Sequence, residues 1–236
     1  GVDEWSGGSW YGYELRVSCG GGGGVWGGFF FQAEDGIRGL VRSRGLGDVY
    51  KRQAYDDDWL TSYGGCDGIW IDGRCHTEPR FPDNGWFPRS MTPLQNPFYL
   101  GLPYDDINDD RAFASRGQRI PWASEEPYAS RIDDQDFSFM KDRWVEIRRG
   151  DRVCFGQIND AGPGKYDDVT YVFGFADERP ANKRNNGAGM DVSPAINGCL
   201  HFTELDGIDD RIDWRFVDNG NVRAGPWTEL VTTTKH

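Results

Sequence analysis

Asp160 stands in the run Asn159-Asp160-Ala161-Gly162-Pro163-Gly164, where Gly and Pro restrict the backbone around a carboxylate; Asp105 and Asp106 follow a short apolar run, Phe98-Tyr99-Leu100. Carboxylic acids held rigidly apart are the tools of glycosidic-bond cleavage. A protonated acid serves the leaving oxygen, and a carboxylate activates water or attacks the sugar. Asp160 is the candidate acid, its pKa raised by apolar neighbours, and Asp105 or Asp106 the candidate base. A separation of about 6.5–9.5 Å between them would give inversion. The competing role for Asp160 is to brace its loop by accepting backbone N–H groups. Tyr99, Tyr104 and Tyr166 offer flat apolar faces with polar edges, suited to stacking on sugar rings. Trp214 reads as core, from its alternation with Ile212 and Phe216. The cluster Asp105, Asp106, Asn108, Asp109, Asp110 is rich in oxygen ligands but lacks the Gly and distal Glu of an EF-hand loop, and reads as a solvated acidic loop. His201 reads as a surface or packing residue, and no metal or other cofactor is expected.

Strands and turns must position these groups. Trp144-Val145-Glu146-Ile147 and Arg152 to Ile158 read as strands, with Arg149-Gly150-Asp151 as their hairpin turn rather than as a cell-adhesion tripeptide. Tyr171-Val172-Phe173 reads as a short strand. Asp191-Val192-Ser193-Pro194 opens a helix that ends near Cys199, with Ser193 or Asp191 near the cap and Pro194 in the first turn. Arg211 to Val217 alternates apolar and charged residues, the pattern of a half-buried strand. Many short strands and one short helix predict a mainly β fold, a small closed barrel. Composition agrees: 3 Met stand against 10 Trp, 10 Tyr and 14 Phe, with 33 Gly and 12 Pro.

The chain of 236 residues carries 26 Lys+Arg against 38 Asp+Glu, a net charge of −12. Without clustered cations there is no general attraction to nucleic acid or an anionic membrane. No apolar run approaches the roughly 20 residues of a spanning helix. The charge also disfavours an anionic polymer as partner.

Residues 1–53 differ in character from the rest. They hold 15 of the 33 Gly, including the run Gly20 to Gly24, while all 12 Pro follow residue 53. Gln32-Ala33-Glu34-Asp35-Gly36-Ile37-Arg38 back-translates to CAA GCA GAA GAC GGC ATA CGA, which resembles the flow-cell end of a sequencing adapter. Ser43 to Gln53 resembles the matching transposase adapter, in the correct order and frame. Gly39 departs from the adapter reading by a single base. Residues 1–53 are therefore expected to be a non-native chimeric segment that makes no core contacts, with native sequence starting at Ala54 and any signal peptide lost upstream.

From Ala54 to Pro97 the chain is rich in Gly, Pro, Asp and aromatics without a period, as in an irregular extension strapped over a domain. Setting Cys19 aside leaves Cys66, Cys75, Cys154 and Cys199, with three pairings open. Cys66 and Cys75 bracket a short loop containing Asp72-Gly73, which favours their pairing and leaves Cys154 for Cys199. The spacing is not CxxC and only His76 lies near, which disfavours zinc. Disulfides imply an oxidising, extracytoplasmic compartment.

Three segments in order carry a resemblance: Trp144 to Asp160 followed by Ala161-Gly162-Pro163, then Gly189-Met190-Asp191-Val192-Ser193-Pro194-Ala195, then Arg211 to Val217. Together they resemble the double-psi β-barrel of rare lipoprotein A, the expansins, barwin-like proteins and small-barrel endoglucanases, over about residues 98–218. The resemblance implies a six-stranded double-psi β-barrel with a short helix and long loops, in a domain spanning 98–236 with a C-terminal tail. It implies a secreted, monomeric, expansin-like protein that binds a cell-wall polysaccharide or peptidoglycan in a groove around Asp160, with Asp191 matching the second Asp. The alternative it implies is glycan cleavage, by an endoglucanase-like hydrolase or a lytic transglycosylase with Asp160 as general acid. The transglycosylase branch has a His shortly before the first hairpin, and Phe137 to Asp142 contains none.

Overall fold

The structure, a computed structural model, describes residues 41–43, 55–56, 58–176, 178–184, 187–203, 205 and 210–233, the first three as backbone only. The centre of the fold is the hairpin of β5 (Trp144–Arg149) and β6 (Arg152–Ala161), closed by Gly150 at φ +58°. β5 pairs antiparallel with β8 (Asp213–Val217). On its other side β6 pairs in parallel with β4 (Tyr99–Leu102), and β4 pairs antiparallel with β7 (Met190–Val192). The backbone of β1 (Val41–Ser43) adds in parallel to β7. The mixed six-stranded sheet therefore runs β1-β7-β4-β6-β5-β8. The mainly β expectation holds at this level. A closed ring is not formed by these pairings, since β1 and β8 share no ladder among the described residues. The expectation for residues 1–53 falls outside the described residues, except for this three-residue backbone ladder.

Among the described residues four short helices accompany the sheets: α1 (Trp59–Tyr63), α2 (Asp110–Arg119), α3 (Val169–Phe173) and α4 (Pro194–Leu200). α4 starts as its sequence predicts, with Ser193 accepting from the Ile196 N–H and Pro194 in the first turn. It lies against β6 because Gly156 has no side chain: a Cβ there would sit 2.7 Å from Ile196 Cδ1. The Cys154–Cys199 disulfide fastens the same two elements. α3 replaces the strand expected at Tyr171-Val172-Phe173. Asp168 accepts a hydrogen bond from the Tyr171 N–H, and this cap outweighs the strand preference of the β-branched and aromatic side chains.

The extension carries a second, two-stranded sheet of β2 (Gly68–Ile71) and β3 (Arg74–Thr77), pinned by the Cys66–Cys75 disulfide. Asp72 and Gly73 both take positive φ, 49° and 75°, as a two-residue hairpin turn requires. A buried polar knot fastens the extension to the main sheet. Asp67 accepts from the Tyr63 and Tyr99 hydroxyls at 2.6 and 3.0 Å and from Arg80 Nη2 at 2.7 Å. The Trp59, Tyr63 and Tyr99 rings pack around it. At the other end of the chain, Gln157 holds Thr232 through both main-chain groups, so the tail folds back onto β6.

Candidate functional site

Three residues lie in one row across the sheet: Asp160 on β6 and Asp191 on β7 are both register partners of Gly101 on β4. Residues directly opposite share a face, so the two carboxylates flank a position without a side chain. A bulge sets this row. Leu100 pairs with Ile158 but Gly101 pairs with Asp160, so Asn159 is an extra residue on β6. Gly101 lets the backbones close up: a Cβ there would lie 3.4 Å from both the Asp160 carbonyl oxygen and the Gly162 nitrogen. Asp191 Oδ2 reaches toward β6, to 3.0 Å from where a Gly162 Cβ would sit.

Asp160 is 8 % exposed. Its Oδ1 accepts the Ala161 N–H at 2.7 Å. Oδ2 accepts no hydrogen bond from the described residues, yet it is not among the fully occluded polar atoms that lack a partner. Burial pushes its carboxyl well above the usual carboxylate range; the Ala161 N–H opposes this, and the negative charges of Asp191 and Asp105 add to it. A raised pKa is the direction that favours the protonated form a proton donor needs.

Asp105 enters from the turn after β4. Its N–H donates to the Tyr166 carbonyl at 2.7 Å, and its Oδ1 accepts from the Asn108 and Ile107 N–H groups at 2.9 and 3.3 Å. Burial again raises its pKa, against those hydrogen bonds. Asp105 is thus locked in a turn while its charge acts on Asp160.

Asp106, the other candidate base, faces elsewhere and has no exposed surface. Its two oxygens accept from Ser138 Oγ and the Phe139 N–H, both at 2.6 Å, and Arg116 Nη1 lies 3.7 Å away. Burial pushes its carboxyl up to about 6, against those donors and Arg116. It braces the 138–139 turn and reaches no substrate. Arg116, also fully buried, donates to the carbonyls of Arg131, Ile132, Asp134 and Phe137. This single side chain shapes the 131–139 loop. Asp109, expected in a solvated loop, instead caps α2 by accepting from the Arg111 and Ala112 N–H groups.

The tyrosines are placed differently from the expectation of sugar stacking. Tyr99 is 3 % exposed and occupied by Asp67 and the Trp59 and Tyr63 rings, and Tyr104 is fully buried with its hydroxyl on the Ala112 carbonyl. Neither presents a ring face. Tyr166 is half-buried against the core and contributes its carbonyl to Asp105. One residue at the row escaped sequence reasoning: Gly101, although it carried a signal, since a Gly inside an apolar strand marks close backbone approach.

Among the described residues no group of three or more His, Cys, Asp or Glu is arranged to hold a metal ion. The fold and site define a mainly β, disulfide-braced protein with paired acids over a strand glycine. Comparison of the chain with family models, curated proteins and solved structures finds no match.

Proposed function

We propose that this is a secreted double-psi β-barrel protein that acts on a neutral cell-wall glycan at the Asp160–Gly101–Asp191 row, with Asp160 as the general acid. The observation that carries this reading is Asp160 itself: a carboxyl whose pKa burial and two neighbouring negative charges push well above the usual carboxylate range, with one oxygen that accepts no hydrogen bond from the described residues. Asp191 supplies the opposing carboxylate. Two strand spacings of about 4.8 Å separate the two backbones, and inversion would require the carboxyls themselves to stand about 6.5–9.5 Å apart with a water between them. The two disulfides suit an oxidising compartment.

A binding-only, expansin-like role is favoured by one observation: Asp160 and Asp105 are 8 % and 2 % exposed, low for groups that must meet a polymer. One experiment separates the two. The chain and its Asp160→Asn variant are incubated with insoluble cellulose, xylan and peptidoglycan, and both soluble products and pelleted protein are measured. Products that vanish in the variant are expected. Pelleting without products, unchanged by the substitution, would leave the binding-only role; neither products nor pelleting would refute both.

A further inference from the structure

Tyr55 lies in the extension, far in sequence from the carboxylates, yet its side chain enters their surroundings. It is 4 % exposed and belongs to the same apolar core as Leu102 and Tyr104. Its hydroxyl donates to the Tyr104 carbonyl at 2.7 Å. Tyr104 is the residue before Asp105, and its backbone also bridges to Asp167. The hydroxyl therefore grips the backbone that delivers Asp105, which the Asp105 N–H to Tyr166 carbonyl bond holds from the other side.

We propose that Tyr55 is a positioning residue of the carboxylate site: its hydroxyl fixes the turn that carries Asp105. The proposal rests on the reading of Asp160 as the working acid. Its geometric basis is the 2.7 Å bond to Tyr104 and the burial of the ring. The titratable groups facing the phenol are Asp106, Asp105, Asp160 and Tyr104, whose charges, after burial itself, hold it in the neutral form. The extension thereby completes the site instead of only bracing the sheet.

The test uses the full chain with 13C-labelled aspartate. Asp160 is assigned by its loss in Asp160→Asn, and its titration is followed in wild type, Tyr55→Phe and Tyr55→Leu. Phe keeps the ring and loses the tether; Leu keeps apolar packing and loses the ring. The expected result is a lower Asp160 midpoint in both, by one pH unit or more in Tyr55→Leu, a tenfold rise in its ionisation constant. Asp67, buried in the separate knot with Arg80, keeps its midpoint. An Asp160 midpoint that stays put while thermal stability falls would make Tyr55 a core residue only and overturn the proposal. Parallel shifts of Asp160 and Asp67 would report general loosening and overturn it too. Failure of the underlying functional reading has a different signature: Asp160→Asn then leaves glycan products and pelleting unchanged, whatever the Tyr55 variants do to the midpoint.

Discussion

Replacing Asp106 by Asn tests whether this acid braces a turn or takes part in chemistry, and its effect on stability should depend on pH. In the folded chain its carboxyl titrates at about 6, against 3.8 for the free side chain. A raised carboxyl pKa costs nothing below the free value. The cost grows as pH rises between the two values and is complete above the folded one. The full displacement of about two units is worth about 3 kcal/mol at 1.36 kcal/mol per unit, and most of it falls between pH 4 and pH 7.5. The replacement amide oxygen can accept the Phe139 N–H without a titrating charge; Ser138 Oγ, which already accepts the Met140 and Lys141 N–H groups, loses its acceptor at Asp106, a cost that is the same at both pH values. Urea unfolding of both chains, disulfides intact, at pH 4 and pH 7.5 gives the quantity needed. The stability of Asp106→Asn relative to wild type should improve by roughly 2–3 kcal/mol from the lower to the higher pH. A relative stability that is equal at both values, or worse at pH 7.5, would refute the reasoning. It would mean that Arg116, 3.7 Å away, compensates the buried charge. Glycan products should be retained in this variant.

Arg116→Met should lower stability by about 3–5 kcal/mol in urea, because it removes donors from four backbone carbonyls, of which only those of Arg131 and Asp134 keep a backbone N–H, and leaves Asp106 without its counter-charge. Gly101→Ala places a methyl between the two carboxylates at 3.4 Å from the β6 backbone; unfolding should report a loss under about 1.5 kcal/mol, while glycan products and pelleting fall at least tenfold. Deleting residues 1–53 removes β1 and its three-residue ladder on β7, and calorimetry should find Tm changed by less than about 4 °C, roughly 1 kcal/mol for a chain of this size.

The sequence was most legible where neighbours in the chain decide the structure. Asp72-Gly73 marks a hairpin, Gly150 marks another, and Ser193-Pro194 opens a helix; each is a local backbone requirement met by a residue type. The disulfide pairing followed from the first of these, since a tight hairpin brings Cys66 to Cys75. Legibility failed where a distant partner takes a side chain. Tyr99 looked like a sugar platform until Asp67 claimed its hydroxyl, and Asp106 looked like a base until Ser138 and Phe139 claimed its oxygens. α3 was missed because its cap, Asp168, outweighs strand-forming residues over only one turn.

The site itself depends on a single inserted residue. Had β6 kept strict register after Ile158 paired with Leu100, Asn159 would face Gly101 and Asp160 would pair with Leu102, which is fully buried in the core. An acid there would have neither a carboxylate neighbour across Gly101 nor a reachable oxygen. The bulge at Asn159 moves Asp160 by one position, into the row with Gly101 and Asp191, and Ala161 takes the place against Leu102. Ala is the residue that suits a core position, and Asp is not. The order Asn159-Asp160-Ala161 thus makes sense only with the bulge present, and strand alternation read from the sequence alone puts Asp160 on the wrong face. Removing Asn159 should consequently be more damaging than replacing it by Ser or Ala. Deletion forces Asp160 against Leu102, whereas substitution leaves the register and the acid row in place.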